Sequence, residues 1–314
     1  MKYRIKKISA GERLDKFLTA KKKNLTRSDV VRLIESGMVL LNGKVPSKHQ
    51  YLKEDDIVDL DNTKKKVVLR ESMAKSEPEI IFENNDFLVI NKPAGLIVHG
   101  ATHIKEKTLA DWLLQKYPEL KKVGENSYRP GMMHRLDKEA SGLIVVAKNN
   151  ETFFALKKQF QDRLIEKEYL ALVYGDVSKE SDKIDFPIKR AIAGYRQAAF
   201  PDKYEEEIEE AGELRQAHTE FSVSQRFLNY TLLRVKIKSG RKHQIRVHFY
   251  AYGHPLVGDD LYSTRRTKSL NKKLKLERIF LVSTFLSFAD ATGKRYEFNL
   301  PLPLELEEFL KKIK

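Results

Sequence analysis

The chain has 314 residues, with 59 Lys and Arg against 44 Asp and Glu, a formal net charge of +15 and no cysteine; such a basic balance favours a polyanionic partner, nucleic acid or an anionic membrane surface. No apolar stretch approaches the roughly 20 residues of a membrane span, the start MKYRIKKISAGERL lacks the apolar segment of a leader, and the absence of cysteine excludes a disulfide framework and thiolate metal sites. Two domains in a cytoplasmic protein are therefore expected.

Residues 1 to 70 hold 18 Lys and Arg and 9 Asp and Glu, so more than half of the net charge lies in under a quarter of the chain. Within it, RLDKFLTAKKK predicts a helix with Leu14, Phe17 and Leu18 on one face. Thr26, with Asp29 three residues on, suits the cap of a second helix carrying Val30, Leu33 and Ile34, and Gly37 suits its end. Asn42-Gly43 in MVLLNGKV is the pair preferred by a tight hairpin turn, because both central residues take positive φ. The segment from about residue 62, NTKKKVVLRESMAKSEPE, reads as a linker.

A larger domain is expected to start near Ile80. EIIFENNDFLVINK gives two strands about an Asn-Asn-Asp turn, and a Pro93 to Gly95 turn follows. SGLIVVAK, KEYLALVYGDV and YTLLRVKIKSG read as further strands; TFFALKKQFQDRL and HQIRVHFYAYG read as helices. Strands outnumber helices without alternating with them, which predicts an α+β fold on a mixed or antiparallel sheet, preceded by a small α/β unit. The acidic run DKYEEEIEEAGEL (202 to 214) is expected to be an exposed excursion.

Three clusters bear chemistry. In HRLDKEASGLIVVAK, His134, Arg135, Asp137 and Lys138 precede an apolar strand. Asp137 reads either as a cap or ion-pair partner or as a reactive group held at a strand end. In EKEYLALVYG, alternation places Tyr169, Ala171, Val173 and Gly175 on one face, as a cavity wall or as packed core. In SGRKHQIRVHFYAYG, helical spacing puts His243, Arg246 and Tyr250 on one face. That helix is either a basic surface touching phosphate, or one whose Arg246 points inward to hold a carboxylate bidentately. His99 and His103 do not make a helical metal pair beside Gly100, and neither phosphate-loop, dinucleotide nor G-x-S-x-G patterns occur. The expectation is a reaction on nucleic acid that needs no metal and no cofactor.

INKPAGLIVH, RPGMMHRLDKEASGLIVVAK, EKEYLALVYG and SGRKHQIRVHFYAYGHPLVGDDLY resemble, in order, the signature stretches of the RluA/RluD-type pseudouridine synthases. RIFLVSTFLSF and FNLPLP resemble the closing strands, and the N-terminal unit resembles an S4-like RNA-binding domain. The resemblance implies an S4-like domain over 1–62, a linker over 63–78 and a catalytic domain over 79–314. It implies an isomerase that turns uridine into pseudouridine, in large-subunit ribosomal RNA before transfer RNA. Asp137 would be its essential aspartate, Arg246 the basic partner and Tyr169 the residue beside the base. Arg135 would fill the stack the flipped base leaves, with Arg129, His134, Arg241 and Lys242 also on RNA. Arg27, Arg32 and Lys44 of the small unit are candidates for backbone contacts. Ala140 departs from the usual Thr before SG, and Lys242 from the usual Thr or Ser before HQ. A monomer is expected, and a non-catalytic RNA-binding or ribosome-assembly factor is the competing reading.

Overall fold

The computed structural model describes residues 2–22, 30, 33–34, 38–47, 50–60, 77–100, 106–191, 196–201, 214–274 and 276–313. The chain divides into two compact units, the first essentially residues 1–71 and the second residues 72–100 and 107–314. In the first unit, β1 (Lys2–Arg4), β2 (Val39–Leu41) and β3 (Ile57–Leu60) form a sheet of order β1-β3-β2, and α1 spans Leu14–Lys21. Leu14, Phe17 and Leu18 of α1 are buried with Val30, Ile34, Val39 and Val58. The apolar stripe of α1 thus faces the sheet, as its spacing predicts.

Asn42 (φ 51°) and Gly43 (φ 77°) make the expected turn, in which Leu41 and Lys44 exchange backbone hydrogen bonds. The predicted hairpin goes no further, since β2 finds its ladder partner in β3. Pro46 lacks the N–H that an extended return strand would need. Thr26, Asp29 and Gly37, with Arg27 and Arg32, lie outside the described residues, as does the linker segment from 61 to 76.

The second unit is built on a nine-stranded sheet. Its strands are β4 (Glu79–Glu83), β5 (Phe87–Lys92), β6 (Ser141–Ala147), β7 (Glu166–Tyr174), β8 (Ser181–Ile184), β11 (Thr219–Phe227), β12 (Tyr230–Ile237), β13 (Leu281–Ala289) and β14 (Arg295–Asn299). The order is β4-β5-β6-β13-β7-β12-β11-β8, with β14 also on β13. Of these strands β6 and β13 run parallel; the other pairs are antiparallel. The fold is therefore the α+β mixed sheet expected. The short strands β9 (Ile188–Arg190) and β10 (Gln197–Ala199) pair apart from it.

Helices cover both faces of the sheet. On one, Ile90, Ile144, Tyr169, Ala171, Val173 and Leu233 pack with α2 (Leu109–Lys116) and α4 (Gln244–Ala251) through Leu113, Ile245 and Phe249. On the other, Val89, Leu143 and Val145 pack with Leu156 of α3 (Asn150–Gln161), while Leu172 and Val282 pack with Leu306 and Phe309 of α6 (Leu304–Lys312). Burial of each such side chain contributes about 1.5–3 kcal/mol. All seven residues of β6 are buried, which explains why SGLIVVA reads as a continuous apolar run and not as an alternation. Three helices escape the sequence expectations: α2, opened by a reciprocal capping box between Thr108 and Asp111, α5 (Arg265–Leu274), whose buried residues are polar, Thr267 and Asn271, and α6 near the C-terminus, which buries Leu306 and Phe309.

Candidate active site

Asp137 lies in the loop that leads into β6, and its position follows from what holds that loop. Gly142, the second residue of β6, has φ 116°, and a Cβ on it would sit 2.2 Å from the Ser283 carbonyl oxygen of β13. Only glycine lets the two strands meet there, in the parallel pairing of Gly142 with Ser283. Across the other edge, Gly142 is in register with Lys92 at the end of β5. The Lys92 ammonium is fully buried and donates to the carbonyls of Pro93 (2.8 Å), Leu96 (2.8 Å) and Lys138 (3.3 Å). Burial, then the charge of Arg278, pulls its pKa down to about 7. The Gly95 N–H also donates to the Lys138 carbonyl, at 2.7 Å. Arg278 closes the far end, donating to the Ser141 hydroxyl at 2.6 Å and to Glu305 of α6 at 2.8 Å.

Arg246 reaches Asp137 from α4. Its guanidinium is buried and grips Asp259 with two bonds, Nε to Oδ2 at 2.7 Å and Nη2 to Oδ1 at 2.9 Å. The remaining Nη1 donates to Asp137 at 3.4 Å and to Glu139 at 3.2 Å. Burial works against the cation, but the hydrogen bond and charge of Asp259, then the charges of Asp137 and Glu139, hold its pKa above the ordinary arginine value. Asp259 is itself fully buried, and its Oδ1 accepts from the backbone N–H groups of Leu261 and Tyr262, each at 2.9 Å. The inward reading of Arg246 holds, and the basic-surface reading of its helix does not. The bidentate partner, however, is Asp259 and not Asp137.

The stripe predicted on this helix does share a face, and that face meets an aromatic ring. His243, Arg246 and Tyr250 all contact Tyr262, at 5.6, 5.4 and 6.3 Å between centres. His243 precedes the helix in a left-handed conformation, φ 55°. The Tyr262 hydroxyl accepts from the Gln197 N–H at 2.7 Å and lies 3.0 Å from His243 Nδ1.

Tyr169 of β7 pairs in register with Ser283, the residue opposite Gly142. β13 thereby sets Tyr169 and the Asp137 loop on either side of one strand. Burial, then the charge of Asp137, raises the Tyr169 phenol above its ordinary pKa, against a hydrogen bond with Ser283. Its ring belongs to the core cluster and also lines a cavity, so both readings of the residue hold together.

That cavity has a volume of about 420 Å³, within the range of ligand sites. Asp137, Tyr169 and Leu136 line it, with Arg129, Arg135, Arg163, Lys167, Lys238, Arg241 and Lys242. Asp137 is the single carboxylate among its lining residues. Arg135 is exposed and donates to His99 Nε2 at 3.4 Å. Burial, then the charges of Arg129 and Arg135, brings His99 down to about 4, which leaves it a neutral acceptor. The Arg129 Nε is buried and meets no acceptor among the described residues. Arg241 donates through Nε to the Gln216 carbonyl at 3.2 Å, and Lys242 is exposed at the cavity. Lys44 is exposed in the first unit.

His134 lines the same cavity, but its ring is engaged within the fold. Its Nε2 accepts the Val145 N–H of β6 at 3.0 Å, and its ring stacks on Phe160 at 4.8 Å. Burial, then the charges of Lys167 and Arg129, lowers its pKa to about 3. It is a neutral brace between loop, strand and helix. Among the described residues no group of three or more His, Cys, Asp or Glu forms a metal site, and no helix is long and apolar enough to cross a membrane.

Comparison with known proteins places this arrangement. The RNA pseudouridylate synthase family matches residues 86–251, and the S4 domain matches residues 12–58. An uncharacterised RNA pseudouridine synthase of Chloroflexus aurantiacus is 37% identical over 96% of this chain and 90% of its own. Ribosomal large subunit pseudouridine synthase C of Vibrio cholerae is 28% identical over 97% of this chain and 94% of its own. The solved structure of human RNA pseudouridylate synthase domain containing 1 superposes with a TM-score of 0.57 at 25% identity, over 72% of this chain and 84% of that one. With Asp137 and Tyr169 on one cavity, Arg246 bound to Asp137 and an S4 domain earlier in the chain, the chain belongs to the RNA pseudouridylate synthase family.

Proposed function

We propose that this protein converts uridine to pseudouridine in large-subunit ribosomal RNA, with Asp137 as the essential carboxylate. The observation that carries the reading is the cavity in which Asp137, tied to Arg246, is the lone acid among seven Lys and Arg side chains. The name of the Vibrio cholerae relative supports the choice of RNA. The target base must leave its stack, at a cost of a few kcal/mol, and the cations draw the phosphates flanking it towards the aspartate.

In the reaction the N1–C1′ bond breaks, the freed uracil turns, and C1′ joins C5. The hydrogen on C5 leaves as a proton and N1 gains one, so atoms balance without an outside reagent. The Asp137 carboxylate acts at the sugar, by adding to C1′ or by removing a sugar proton. Arg246, fixed by Asp259, orients that carboxylate. Tyr169 lies against the base and relays the C5 proton, directly or through water; its raised pKa means that it passes on its own proton as it takes the next.

Arg135 takes the place of the flipped base in the stack, while Arg129, Arg241 and Lys242 hold flanking phosphates. Residues 1–62 act as the RNA-binding domain, with Arg27, Arg32 and Lys44 on the backbone; residues 63–78 link them to the catalytic domain, 79–314. The protein works as a cytoplasmic monomer without metal or cofactor.

Tritium release from 5-tritiated uridine in unmodified large-subunit RNA tests the reading, because C5 loses its hydrogen only when rejoined to the sugar. Release by the parent and none by Asp137→Ala is the expected result. Release by both removes Asp137 from the reaction; release from transfer RNA alone moves the substrate. A binding-factor role would leave both proteins silent on either RNA.

A further inference from the structure

Beside the catalytic cavity lies a second, of about 310 Å³, lined by Arg163, Asp185, Gln216, His218, Lys238 and Ser239. Arg163, Lys238 and Ser239 line both cavities, so the two share a rim. The rim is cationic on each side. Arg163 follows α3 at φ 60°, exposed, and its guanidinium meets no carboxylate among the described residues. Lys238 is held by Glu220, its Nζ 3.1 Å from Oε1. The link between Arg241 and the Gln216 carbonyl also joins the two walls.

The floor of the second cavity is polar. His218 stands between two carboxylates, with Nδ1 on Asp185 Oδ1 and Nε2 3.1 Å from Glu220. The second oxygen of Asp185 has no partner among the described residues, and the side chain is 58% exposed, open to a ligand.

We propose that the second cavity receives the base of the nucleotide next to the target uridine. Arg163 and Lys238 hold the phosphate that joins the two nucleotides, and Asp185 selects a base that carries an exocyclic amino group. The assignment rests on the reading of the first cavity as the seat of the flipped uridine. A strand that leaves that seat towards Arg163 must carry its phosphate over the shared rim, which Arg163 and Lys238 both line. Beyond the rim, a carboxylate only accepts hydrogen bonds. The amino groups of adenine, cytosine and guanine donate to it, whereas uracil sets a carbonyl oxygen on each side of its single N–H. The subsite thus determines the sequence context in which a uridine is taken.

The test is binding of short labelled RNAs, each with one uridine between varied neighbours, to the full chain, with pseudouridine formation read on the same RNAs. The parent is expected to bind RNAs with an amino-bearing neighbour about fivefold or more tightly than the all-uridine sequence, the lower end of discrimination by a base-edge contact. Asp185→Asn flattens that preference. Arg163→Ala with Lys238→Ala weakens every RNA alike and makes the logarithmic salt dependence shallower by about 0.7 for each phosphate no longer neutralised. An Asp185→Asn protein that keeps the parent's order of preference, or an unchanged salt slope in the double variant, overturns the proposal. A preference that follows Asp185 but no pseudouridine in any RNA supports the second cavity while removing the function assigned to the first.

Discussion

Replacing Gly142 by alanine perturbs one of the two rungs by which the strand behind Asp137 pairs with the centre of the sheet. The added Cβ would lie 2.2, 2.6 and 2.8 Å from the oxygen, nitrogen and carbonyl carbon of Ser283. All three are backbone atoms, so no side chain can swing away, and an ordinary contact requires a separation more than 1 Å greater. Overpacking of this kind costs about 1–3 kcal/mol, and holding a non-glycine residue in an unfavourable backbone region costs about 1–3 kcal/mol more. A loss of about 2–6 kcal/mol is expected for Gly142→Ala. Gly293→Ala supplies the control, since Gly293 also has a positive φ, 86°, but no atom within 4 Å of an added Cβ; it should show the backbone cost alone. Trp112 is the only tryptophan in the chain and belongs to the second unit, so its fluorescence during urea unfolding follows the unit of interest. Tritium release should fall by about 100-fold in Gly142→Ala, the scale set by a displacement of about 1 Å at a reacting group, and stay near parental in Gly293→Ala. Equal stability and equal activity in the two variants would refute the idea that close approach of β6 to β13 positions Asp137.

Three further outcomes follow from the site. Asp259→Ala leaves a buried guanidinium and two N–H groups without their acceptor, and should cost about 3–5 kcal/mol in Trp112-detected unfolding; Asp259→Asn also loses the charge but keeps an acceptor for the Leu261 and Tyr262 N–H groups and should be less destabilised, and an Asp259→Asn protein as stable as the parent would contradict the ion-pair account. Lys92, lowered to about 7 in the fold from an ordinary value of 10.5, releases its proton on the folded side first. Between those values the unfolded chain binds more protons, so the stability of the parent relative to Lys92→Met should rise with pH across that window and be flat below it; a difference that falls with rising pH would be inconsistent with a burdened ammonium. Tyr169→Phe should keep its fold and slow tritium release by about 10²–10⁴, and release at the parental rate would take the phenol out of proton transfer.

What the sequence disclosed, and what it hid, follows from the range of the forces involved. Asp137 ahead of an apolar run, Tyr169 on an alternating strand and Arg246 at helical spacing are local patterns, and the fold sets the first two on one cavity and binds the third to Asp137. Asp259 was not legible as a site residue. Nothing adjacent marks it, and its pairing with Arg246 depends on how α4 lies against the turn that follows it. The internal bonds of His134 were equally hidden: next to Arg135 it looks like a partner for phosphate, and only the fold shows that its ring also meets the Val145 N–H and Phe160. The helix α5 escaped because RRTKSLNKKL buries Thr267 and Asn271, which gives no apolar stripe, and Asn271 is held there by accepting from the Tyr174 hydroxyl at 2.6 Å.

The same flank of β13 serves two neighbours in succession, β6 along Val282 and Ser283 and then β14 from Phe285 to Ala289. The sheet therefore forks, and Phe82, Phe87, Phe288, Tyr296 and Phe298 fill the crotch with mutually contacting rings. With only two rungs tying the strand that carries Asp137 to the sheet's middle, these rings act as a wedge that sets the angle between the branches. None of these rings lines the cavity, so trimming one should retune the aim of the Asp137 carboxylate from outside the cavity itself.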